Sequence, residues 1–334
     1  MTHTILWTKD DPWSPLELDH AAPFVLGGCK PATIAAPASI LRRKSISPAM
    51  NDDPETAALF DQFYTRYEVA EDLYEEVRDY LRRSFGEGYA DRFLMVEPSA
   101  GQGAFFVPMP SGSIGVDLAS QCKGVLATNF LTLQIISNRR VVIVGNPPFG
   151  TGSEKALEFV NHAARQADFI AFILPATFRK TRIINRIDET LHLVSEHTVP
   201  KKAFLFLGKP REVPTVFQIW ERRNYRRPPL PEVTNHPDFR YTSANVADFA
   251  IQRIGADAGR VHNKFGLSDN SHYFISAHPG GKVERIMREL QPAFAKVAKN
   301  TAGTPSLAKS EIFSLYLERV SRNSWRRRRA IQRW

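Results

Sequence analysis

The sequence predicts an α/β fold in which a mostly parallel sheet is followed by a smaller C-terminal α+β region. Short apolar runs of strand type, at residues 93–96, 141–145 and 169–174, alternate with segments of helical periodicity. This alternation is typical of a parallel sheet whose strands are connected by helices. The first two runs lead into loops rich in glycine or proline, and open α/β sheets bind ligands at that edge.

The amino-terminal part contains an irregular stretch and then a helix. Residues 1–50 carry many prolines and alanines with little periodicity, so we expect a mostly irregular arm. Asn51 or Asp52 is a candidate helix start, because Pro54 would then lie near the first turn. Thr65, in the segment 63–70, could cap a helix. Apolar residues then recur at helical spacing: Val69, Leu73, Val77 and Leu81.

The loop after the strand at 93–96 is the strongest ligand-binding signal in the chain. Its two glycines, Gly101 and Gly103, let backbone approach a ligand where a Cβ would clash. The third glycine of the dinucleotide-binding fingerprint is missing. A plain turn is the alternative interpretation of this segment, which runs Glu97-Pro98-Ser99-Ala100-Gly101-Gln102-Gly103-Ala104-Phe105.

A second short strand at 113–118 ends near an acidic residue, Asp117. A carboxylate about 20 residues beyond such a glycine loop can accept both ribose hydroxyls of a nucleoside. The alternative is a helix N-cap, and one carboxylate can serve both purposes.

The strand at 141–145 ends before two consecutive prolines, Pro147 and Pro148. Proline cannot donate to a sheet ladder, and it biases the preceding residue away from helix. The chain therefore leaves the sheet in a stiff, extended loop that presents Asn146 and Phe149 at the carboxyl end of a strand. A proline-rich turn with a packed phenylalanine is the alternative.

The same patterns extend through the rest of the chain. A helix is predicted at 154–167, with Ala156, Phe159, Val160 and Ala163 facing inward. Strands are predicted at 169–175, 191–198, 203–207 and 215–220; the last two flank a hairpin-like connection at 208–212 and place an antiparallel strand at the sheet edge. Beyond a boundary at 226–237, we expect strands at 249–254 and 272–276 and helices at 283–290 and 311–320.

Composition restricts the class of protein. With 43% hydrophobic and 24% charged residues, the chain resembles a soluble globular protein. No apolar stretch approaches the roughly 20 residues of a membrane helix, and the start lacks a secretory signal. Only Cys29 and Cys122 are present, which favours a reducing compartment. We expect a cytoplasmic protein, or a nuclear one in a eukaryote, that is not secreted and has no metal site.

The net charge of +9 points to an anionic partner. Between Lys201 and Arg227 eight basic residues accompany two glutamates, and seven arginines lie between Arg319 and Trp334. Such clusters suit the phosphate backbone of a nucleic acid. A solvated face and a disordered basic tail are the alternatives. The oligomeric state stays open, with a monomer slightly favoured.

Taken in order, four segments resemble the motifs of one methyltransferase class. These are the turn at Tyr64, the loop at Gly101, the acid Asp117 and the tetrapeptide Asn146-Pro147-Pro148-Phe149. Their order is similar to that of the gamma-like N6-adenine methyltransferases, which use S-adenosylmethionine. Type I restriction-modification and RNA cap-adenosine methyltransferases share the phenylalanine form of the last motif. The resemblance covers roughly residues 55–225.

The resemblance implies a Rossmann-like class I methyltransferase sheet, S-adenosylmethionine as cofactor, and methyl transfer to the N6 amine of adenine in DNA or, less favoured, RNA. It implies catalytic roles for Asn146, Pro147, Pro148 and Phe149. It implies cofactor binding by Tyr64, Thr65, Glu97, Pro98, Ser99, Ala100, Gly101, Gly103, Asp117, Leu118, Asn129 and Phe130. Substrate contacts are expected from Phe178, Arg179, Lys209 and Arg211.

Two positions depart from the family pattern. Arg66 stands where the family has proline, and Asn129 replaces an acid, although its amide could still pair with the cofactor adenine. The expected domains are an arm (1–50), a methyltransferase domain (51–227), a target-recognition region (228–320) and a basic tail (321–334).

Three other functions compete with this interpretation. A glutamine N5-methyltransferase of release factors resembles this chain in its Asn-Pro-Pro motif, but it would not need the basic clusters. A non-catalytic nucleic-acid-binding protein of the same fold would be expected to lose the glycines or Asn146. A dinucleotide-dependent oxidoreductase would be expected to have the third glycine.

Overall fold

The computed structural model describes residues 3–7, 34–35, 63–206, 208–232, 234, 236–278, 282–301 and 303–331. Of these, 3–7, 34–35 and 322–331 are described as backbone. The chain forms two compact units. The first comprises Met1–Pro175 and Arg186–Pro228, and the second comprises Ala176–Asn185 and Pro229–Trp334. The predicted helix start at Asn51 or Asp52 lies outside the described residues.

The first unit is an α/β structure. Its strands are β1 (His3–Trp7), β2 (Ile34–Ala35), β3 (Tyr64–Thr65), β4 (Phe93–Glu97), β5 (Ile114–Asp117), β6 (Leu126–Ala127), β7 (Leu133–Ser137), β8 (Arg140–Gly145), β9 (Phe169–Pro175), β10 (Leu191–Thr198), β11 (Phe204–Phe206), β12 (Lys209–Arg211) and β13 (Thr215–Arg222). Its α-helices are α1 (Tyr67–Phe85) and α2 (Glu154–Ala164), and single 3₁₀ turns lie at Glu87–Arg92, Phe130–Thr132 and Thr151–Ser153.

A central sheet with seven strands, counted over the described residues, has the order β10-β13-β9-β8-β4-β5-β6. The five strands from β6 to β9 are parallel, and β13 runs antiparallel to both β9 and β10. From β6 to β9 the sequence of strands is the 3-2-1-4-5 order of doubly wound folds. This arrangement confirms the predicted Rossmann-like α/β sheet.

The core of the first unit follows the predicted hydrophobic pattern. Every residue of β4 and of β9 is buried, as expected for central strands covered on both faces. Helix α1 buries the predicted face of Val69, Leu73, Val77 and Leu81. Helix α2 buries Ala156, Phe159, Val160 and Ala163, again as predicted, and it connects β8 to β9.

The segment between β4 and β5 differs from a usual crossover. Residues 101–109 form successive turns instead of an α-helix. Their hydrogen bonds include Gly103 N to Ala100 O at 2.6 Å and Met109 N to Phe106 O at 3.1 Å. The chain therefore returns to the next strand by tight turns that lie close to the sheet edge.

Two predictions about strands are wrong. Residues 203–207 and 215–220 do not form a hairpin with each other; β11 instead pairs with β12 and β3 in a small antiparallel sheet. β13 joins the central sheet between β9 and β10, so the antiparallel strand is internal. The N-terminal arm was predicted to be mostly irregular; its described residues form β1 and β2, and β1 pairs in parallel with β7 and antiparallel with β2.

The second unit is an α+β structure, as predicted for the C-terminal region. A short helix α3 (Thr181–Ile184) belongs to it. Its antiparallel sheet consists of β14 (Phe239–Thr242), β15 (Phe249–Gln252), β16 (Val261–His262) and β17 (His272–Ala277), in the order β14-β17-β15-β16. Helices pack on one face of this sheet around a core that includes Phe249, Ile275, Met287, Phe294 and Ile312. These helices are α4 (Lys282–Glu289), α5 (Gln291–Ala298) and α6 (Lys309–Ile331).

The largely buried pair of Lys180 and Glu311, with Nζ and Oε1 3.1 Å apart, lies within this second unit. The basic tail predicted at 321–334 continues α6 as helical backbone to Ile331. Within the described part of the chain, no helix is both long and apolar enough to cross a bilayer.

Candidate active site

A pocket of about 120 Å³ opens at the carboxyl ends of β4, β5 and β8. Strand order reverses at β4, because β5 lies on one side of it and β8 on the other. Ligands of open α/β sheets bind at such a switch point. The walls are formed by Phe63, Tyr64, Pro98, Ser99, Gly101, Asp117, Leu118, Ala119, Thr128, Asn129, Phe130, Asn146, Pro148 and Phe159.

Asp117 fixes the glycine loop. Its Oδ2 accepts from Gly101 N at 2.7 Å, and its Oδ1 accepts from Ala119 N at 2.7 Å. A carboxylate offers about four lone-pair positions, so each oxygen retains capacity for a ligand hydroxyl. The Gly101 carbonyl is held in turn by Gln121 N and Ser120 Oγ, each at 3.1 Å. The loop is thus ordered by side chains that follow β5.

The two glycines of the loop have different surroundings. Gly101 lies at φ +49°, and a Cβ there would come within 2.9 Å of the Tyr64 ring. Gly103 lies at φ +87°, and a Cβ there would come within 2.5 Å of Cys122 Sγ. Gly101 lines the pocket and Gly103 does not. Gly103 therefore provides space for Cys122 under the loop, a role that the sequence pattern alone does not indicate.

Tyr64 belongs to β3 and forms the wall that faces the glycine loop. Burial raises the pKa of its hydroxyl, against a hydrogen bond with Gln121 that lowers it. Next to it, the Tyr67 hydroxyl donates to the carbonyl of Gln102 at 2.7 Å. The segment around Tyr64 thus contacts the glycine loop.

Asn146 has its amide held at one end only. Its Nδ2 donates to the Phe63 carbonyl at 3.0 Å, and its backbone carbonyl accepts from Ser99 Oγ at 3.0 Å. Its Oδ1 is covered by protein atoms, and no hydrogen-bond donor reaches it among the described residues. An unpaired buried acceptor costs about 1–3 kcal/mol, and its presence needs an explanation such as a ligand role.

Two more predicted site residues carry buried polar atoms without a partner among the described residues: Thr65 Oγ1 and Glu97 Oε2. Glu97 is 2% exposed and lies at the end of β4. Burial raises the pKa of its carboxyl well above the ordinary value, although the backbone N–H groups of Phe106 and Phe105 donate to it. Burial therefore favours the neutral acid over the carboxylate.

Asn129 and Phe130 lie in the pocket wall at the start of a 3₁₀ turn. The Asn129 Oδ1 accepts from Leu131 N at 3.0 Å, which caps that turn. The Phe130 ring stacks on the ring of Phe159 of α2, with centroids 5.3 Å apart. The Asn129 oxygen is thus occupied locally, while Phe130 and Phe159 form the apolar side of the pocket.

Several predicted site residues lie outside the pocket wall. Thr65, Glu97, Ala100, Gly103, Pro147 and Phe149 are not part of its lining. The Phe149 ring is buried and meets Phe204 edge to face at 6.4 Å, so it is packed against β11. Phe178 is fully buried and Arg179 is exposed, and both belong to the second unit.

The basic cluster at 201–227 is not uniform. Lys209 and Arg211 are exposed on β12, where alternation places them on one face. Arg227 instead has a structural role, since it donates to the carbonyls of Ile187 and Leu191 at 2.7 and 3.1 Å. Arg223 pairs with Glu221 at 2.9 Å.

Sequence analysis did not identify Phe63, Ala119, Thr128 and Phe159 as pocket residues. Phe159 carried a signal, because it was predicted on the inward face of a helix that follows the Asn146 loop. Phe63 lies directly before the predicted Tyr64 segment, and its contribution is a backbone carbonyl, which no side-chain pattern can indicate. Over the described residues, no group of three or more His, Cys, Asp or Glu side chains could hold a metal ion.

Comparison with known proteins gives structural matches only. No family model matches the chain, and no curated protein does so. Similar solved structures include a candidate RNA methyltransferase of Pyrococcus horikoshii, with 18% identity over 49% of this chain and 88% of that chain and a TM-score of 0.35.

Two further matches are a DNA complex of DrdV (14% identity, 51% of this chain, 27% of that chain, TM-score 0.34) and a candidate methyltransferase, yhhF, of Escherichia coli. The latter is 12% identical over 45% of this chain and 87% of that chain, with a TM-score of 0.28. Identities and TM-scores this low support no conclusion about activity.

The buried carboxyl of Glu97 generates a prediction about stability. The free energy of unfolding should fall as the pH rises above the ordinary carboxyl pKa of 4.5, because the unfolded chain then releases a proton that folded Glu97 retains. The free energy of unfolding should fall by up to about 1.4 kcal/mol per pH unit. Denaturant titrations between about pH 5 and pH 9 measure it.

Glu97→Gln should lose this component, because the neutral amide mimics the protonated acid. Glu87→Gln, at an exposed side chain, is the matched control and should keep the slope of the unmodified protein. Equal slopes for Glu97→Gln and the unmodified protein would show that the carboxyl is already ionised in the folded state.

Proposed function

We propose that this protein is an S-adenosylmethionine-dependent methyltransferase that modifies the N6 amine of adenine in nucleic acid. The observation that carries the proposal is a single pocket, at the switch point of the sheet, bordered by Gly101, Asp117 and Asn146. The first two suit a nucleoside cofactor, and the third suits an amine substrate. DNA is the favoured substrate, with RNA as the alternative.

The residues of the pocket fit S-adenosylmethionine in kind. Asp117 retains lone pairs for ribose hydroxyls, Phe130 offers an apolar wall for a base, and Gly101 adds no Cβ to the loop. The cavity is smaller than the roughly 300–1,000 Å³ of a typical ligand pocket, so the wall at Tyr64 would have to move outward. When bound, this cofactor supplies an activated methyl group.

Asn146 would prepare the amine for attack. An adenine amino nitrogen is a poor nucleophile, because its lone pair is delocalised into the ring. No donor reaches the Asn146 Oδ1 among the described residues, and this oxygen is covered by protein atoms. When the pocket opens to admit a substrate, Oδ1 would accept one amino hydrogen and the Pro147 carbonyl would accept the other. Both contacts favour a nitrogen nearer to tetrahedral, with its lone pair directed at the methyl carbon. The main contribution to catalysis would be the positioning of the amine, and no strong general base would be needed.

The charge of the first unit supports a nucleic-acid substrate over a protein glutamine. Lys209 and Arg211 are exposed on β12, and β11, β12 and β3 form one small sheet next to the pocket wall. A phosphate backbone on this hairpin would bring a base towards Asn146. In duplex DNA the base would first have to be flipped out of the stack.

The first test of the proposal is cofactor binding by Asp117→Asn. Losing one carboxylate oxygen as an acceptor should weaken S-adenosylmethionine by about 1–3 kcal/mol, or roughly 5- to 150-fold in Kd. Isothermal titration calorimetry measures the change. Asp91→Asn, at an exposed position of the same unit, is the control and should bind as the unmodified protein does. Unchanged affinity in Asp117→Asn would remove Asp117 from the cofactor site.

The second test is turnover by Asn146→Ala. Removal of one preorganised acceptor should lower kcat by roughly 100- to 1,000-fold, while cofactor affinity stays the same. Transfer of a tritiated methyl group to duplex DNA, single-stranded DNA, RNA and capped RNA, followed by nucleoside analysis, measures it and should yield N6-methyladenine. Asn138 is exposed and lies just before β8, at the other end of that strand from Asn146. The control variant Asn138→Ala should be fully active. Transfer to none of these nucleic acids would favour the competing protein glutamine methyltransferase.

The third test concerns the basic hairpin. Each phosphate contacted contributes about −0.7 to −0.9 to the slope of log affinity against log salt. The double variant Lys209→Gln, Arg211→Gln should therefore reduce the magnitude of that slope by about 1.5. Fluorescence anisotropy with a labelled oligonucleotide between about 50 and 200 mM salt measures it. Arg83→Gln, Arg165→Gln carries the same charge change at exposed positions and should leave the slope unchanged.

A further inference from the structure

The orientation of the Asn146 amide depends on a backbone carbonyl outside its own loop. An asparagine amide has a donor end and an acceptor end, and rotation by half a turn exchanges them. The proposed chemistry needs the acceptor, Oδ1, at the amine. Nδ2 donates to the Phe63 carbonyl at 3.0 Å, and this bond sets which end of the amide would meet a substrate once the pocket opens.

The Phe63 carbonyl is held in place by the β11–β12 hairpin. Phe63 directly precedes β3, a strand of two residues that lies at the end of the order β12-β11-β3. The strand is attached through the pairs Thr65↔Phe204 and Tyr64↔Leu205, and through Arg66 N to Ala203 O at 2.9 Å. The Phe63 ring also stacks on the ring of Phe206, with centroids 5.2 Å apart and planes at 29°.

The same hairpin contacts the other side of the Asn146 loop. The ring of Phe204 meets the ring of Phe149, three residues after Asn146, at a centroid distance of 6.4 Å. The guanidinium of Arg211 lies 5.9 Å from the centre of the Phe206 ring. The exposed side chain of Arg211 therefore contacts the same ring, that of Phe206, which stacks on Phe63.

We propose that the β11–β12 hairpin positions the catalytic amide: Phe206 holds Phe63, whose carbonyl orients Asn146 with its acceptor towards the amine. This inference rests on the proposed function for its chemical consequence, but the orientation of the amide is a property of the free protein. Phe63 and Phe206 are positioning residues, since they act through Asn146. A phosphate backbone on Lys209 and Arg211 would stabilise the same arrangement.

The experiment is a double-mutant cycle on the full-length protein, using the panel substrate with the highest turnover. Phe206→Ala should lower kcat about tenfold with KM within twofold of the unmodified value. In the Asn146→Ala background, Phe206→Ala should change the residual kcat by less than twofold, because the amide that it positions is gone. Phe206→Tyr keeps the ring face and should restore the rate. Tyr225→Ala disrupts a similar half-exposed pair, with His192 at 4.8 Å, and should leave kcat unchanged.

A second measurement does not depend on activity. In the ¹⁵N-labelled protein, the side-chain amide signal of Asn146, assigned with Asn146→Asp, should show two well-separated protons, because one is bonded to the Phe63 carbonyl. Phe206→Ala should bring the two protons closer together and speed their exchange with solvent, and Tyr225→Ala should not.

The outcomes separate this inference from the proposed function. Additive effects on kcat, an effect confined to KM, or an unchanged Asn146 amide signal in Phe206→Ala would overturn the inference, and a loss of turnover in Asn146→Ala would still support the proposed function. Full activity of Asn146→Ala would overturn the proposed function, and the amide signal would then decide alone whether the hairpin orients this side chain.

Discussion

The parallel pairing of β4 and β8 determines where the residues of the candidate site can lie. The register pairs Leu94 with Val141 and Val96 with Ile143, so the two strands end side by side. Both are buried along the sheet, which prevents a shift of register without exposing apolar side chains. The glycine loop and the Asn146 loop therefore start from fixed neighbouring points, and Ser99 joins them through its bond to the Asn146 carbonyl.

Asp117 and Asn146 differ in how many of their polar side-chain atoms are paired by the protein itself. This difference separates a structural role from a chemical one. Asp117 has both carboxylate oxygens on backbone donors, which makes it a structural part of the loop before any ligand arrives. In Asn146 the donor end of the amide is satisfied by Phe63, and among the described residues no donor reaches the acceptor end. The first residue lowers the cost of ordering the loop, and the second keeps an acceptor that is expensive to leave unpaired.

Periodicity within short segments could be predicted from the sequence, and pairing between distant segments could not. The buried face of α1 and the strands β4, β8 and β9 have patterns that local packing decides, so the predictions for them are confirmed. β11 resembles a central strand in composition, but the tight connection before Lys209 pairs it locally with β12. The partner of β1 lies more than 120 residues away, at Leu133–Ser137, and no signal in either segment specifies the other.

The candidate site shows the same division. The motif loops and Asp117 could be located because their residue types have few other uses at such positions. Two other features could not be located from the sequence. The Phe63 carbonyl that accepts from Asn146 is a backbone group, and the packing of Gly103 against Cys122 is a contact between two loops. The ring of Phe149 illustrates the limit of motif reasoning, because it packs against Phe204, 55 residues later in the chain.

The internal position of β13 affects the order in which the sheet can be completed during synthesis. β10 emerges before β13, yet β13 is its partner in the central sheet and also covers β9. At roughly 5–20 residues per second, translation leaves β9 with an open edge for a few seconds before residues 215–222 appear. An open apolar edge is a template for pairing with other chains. A nascent chain that ends between β10 and β13 therefore exposes the edge of β9 that β13 covers in the complete sheet.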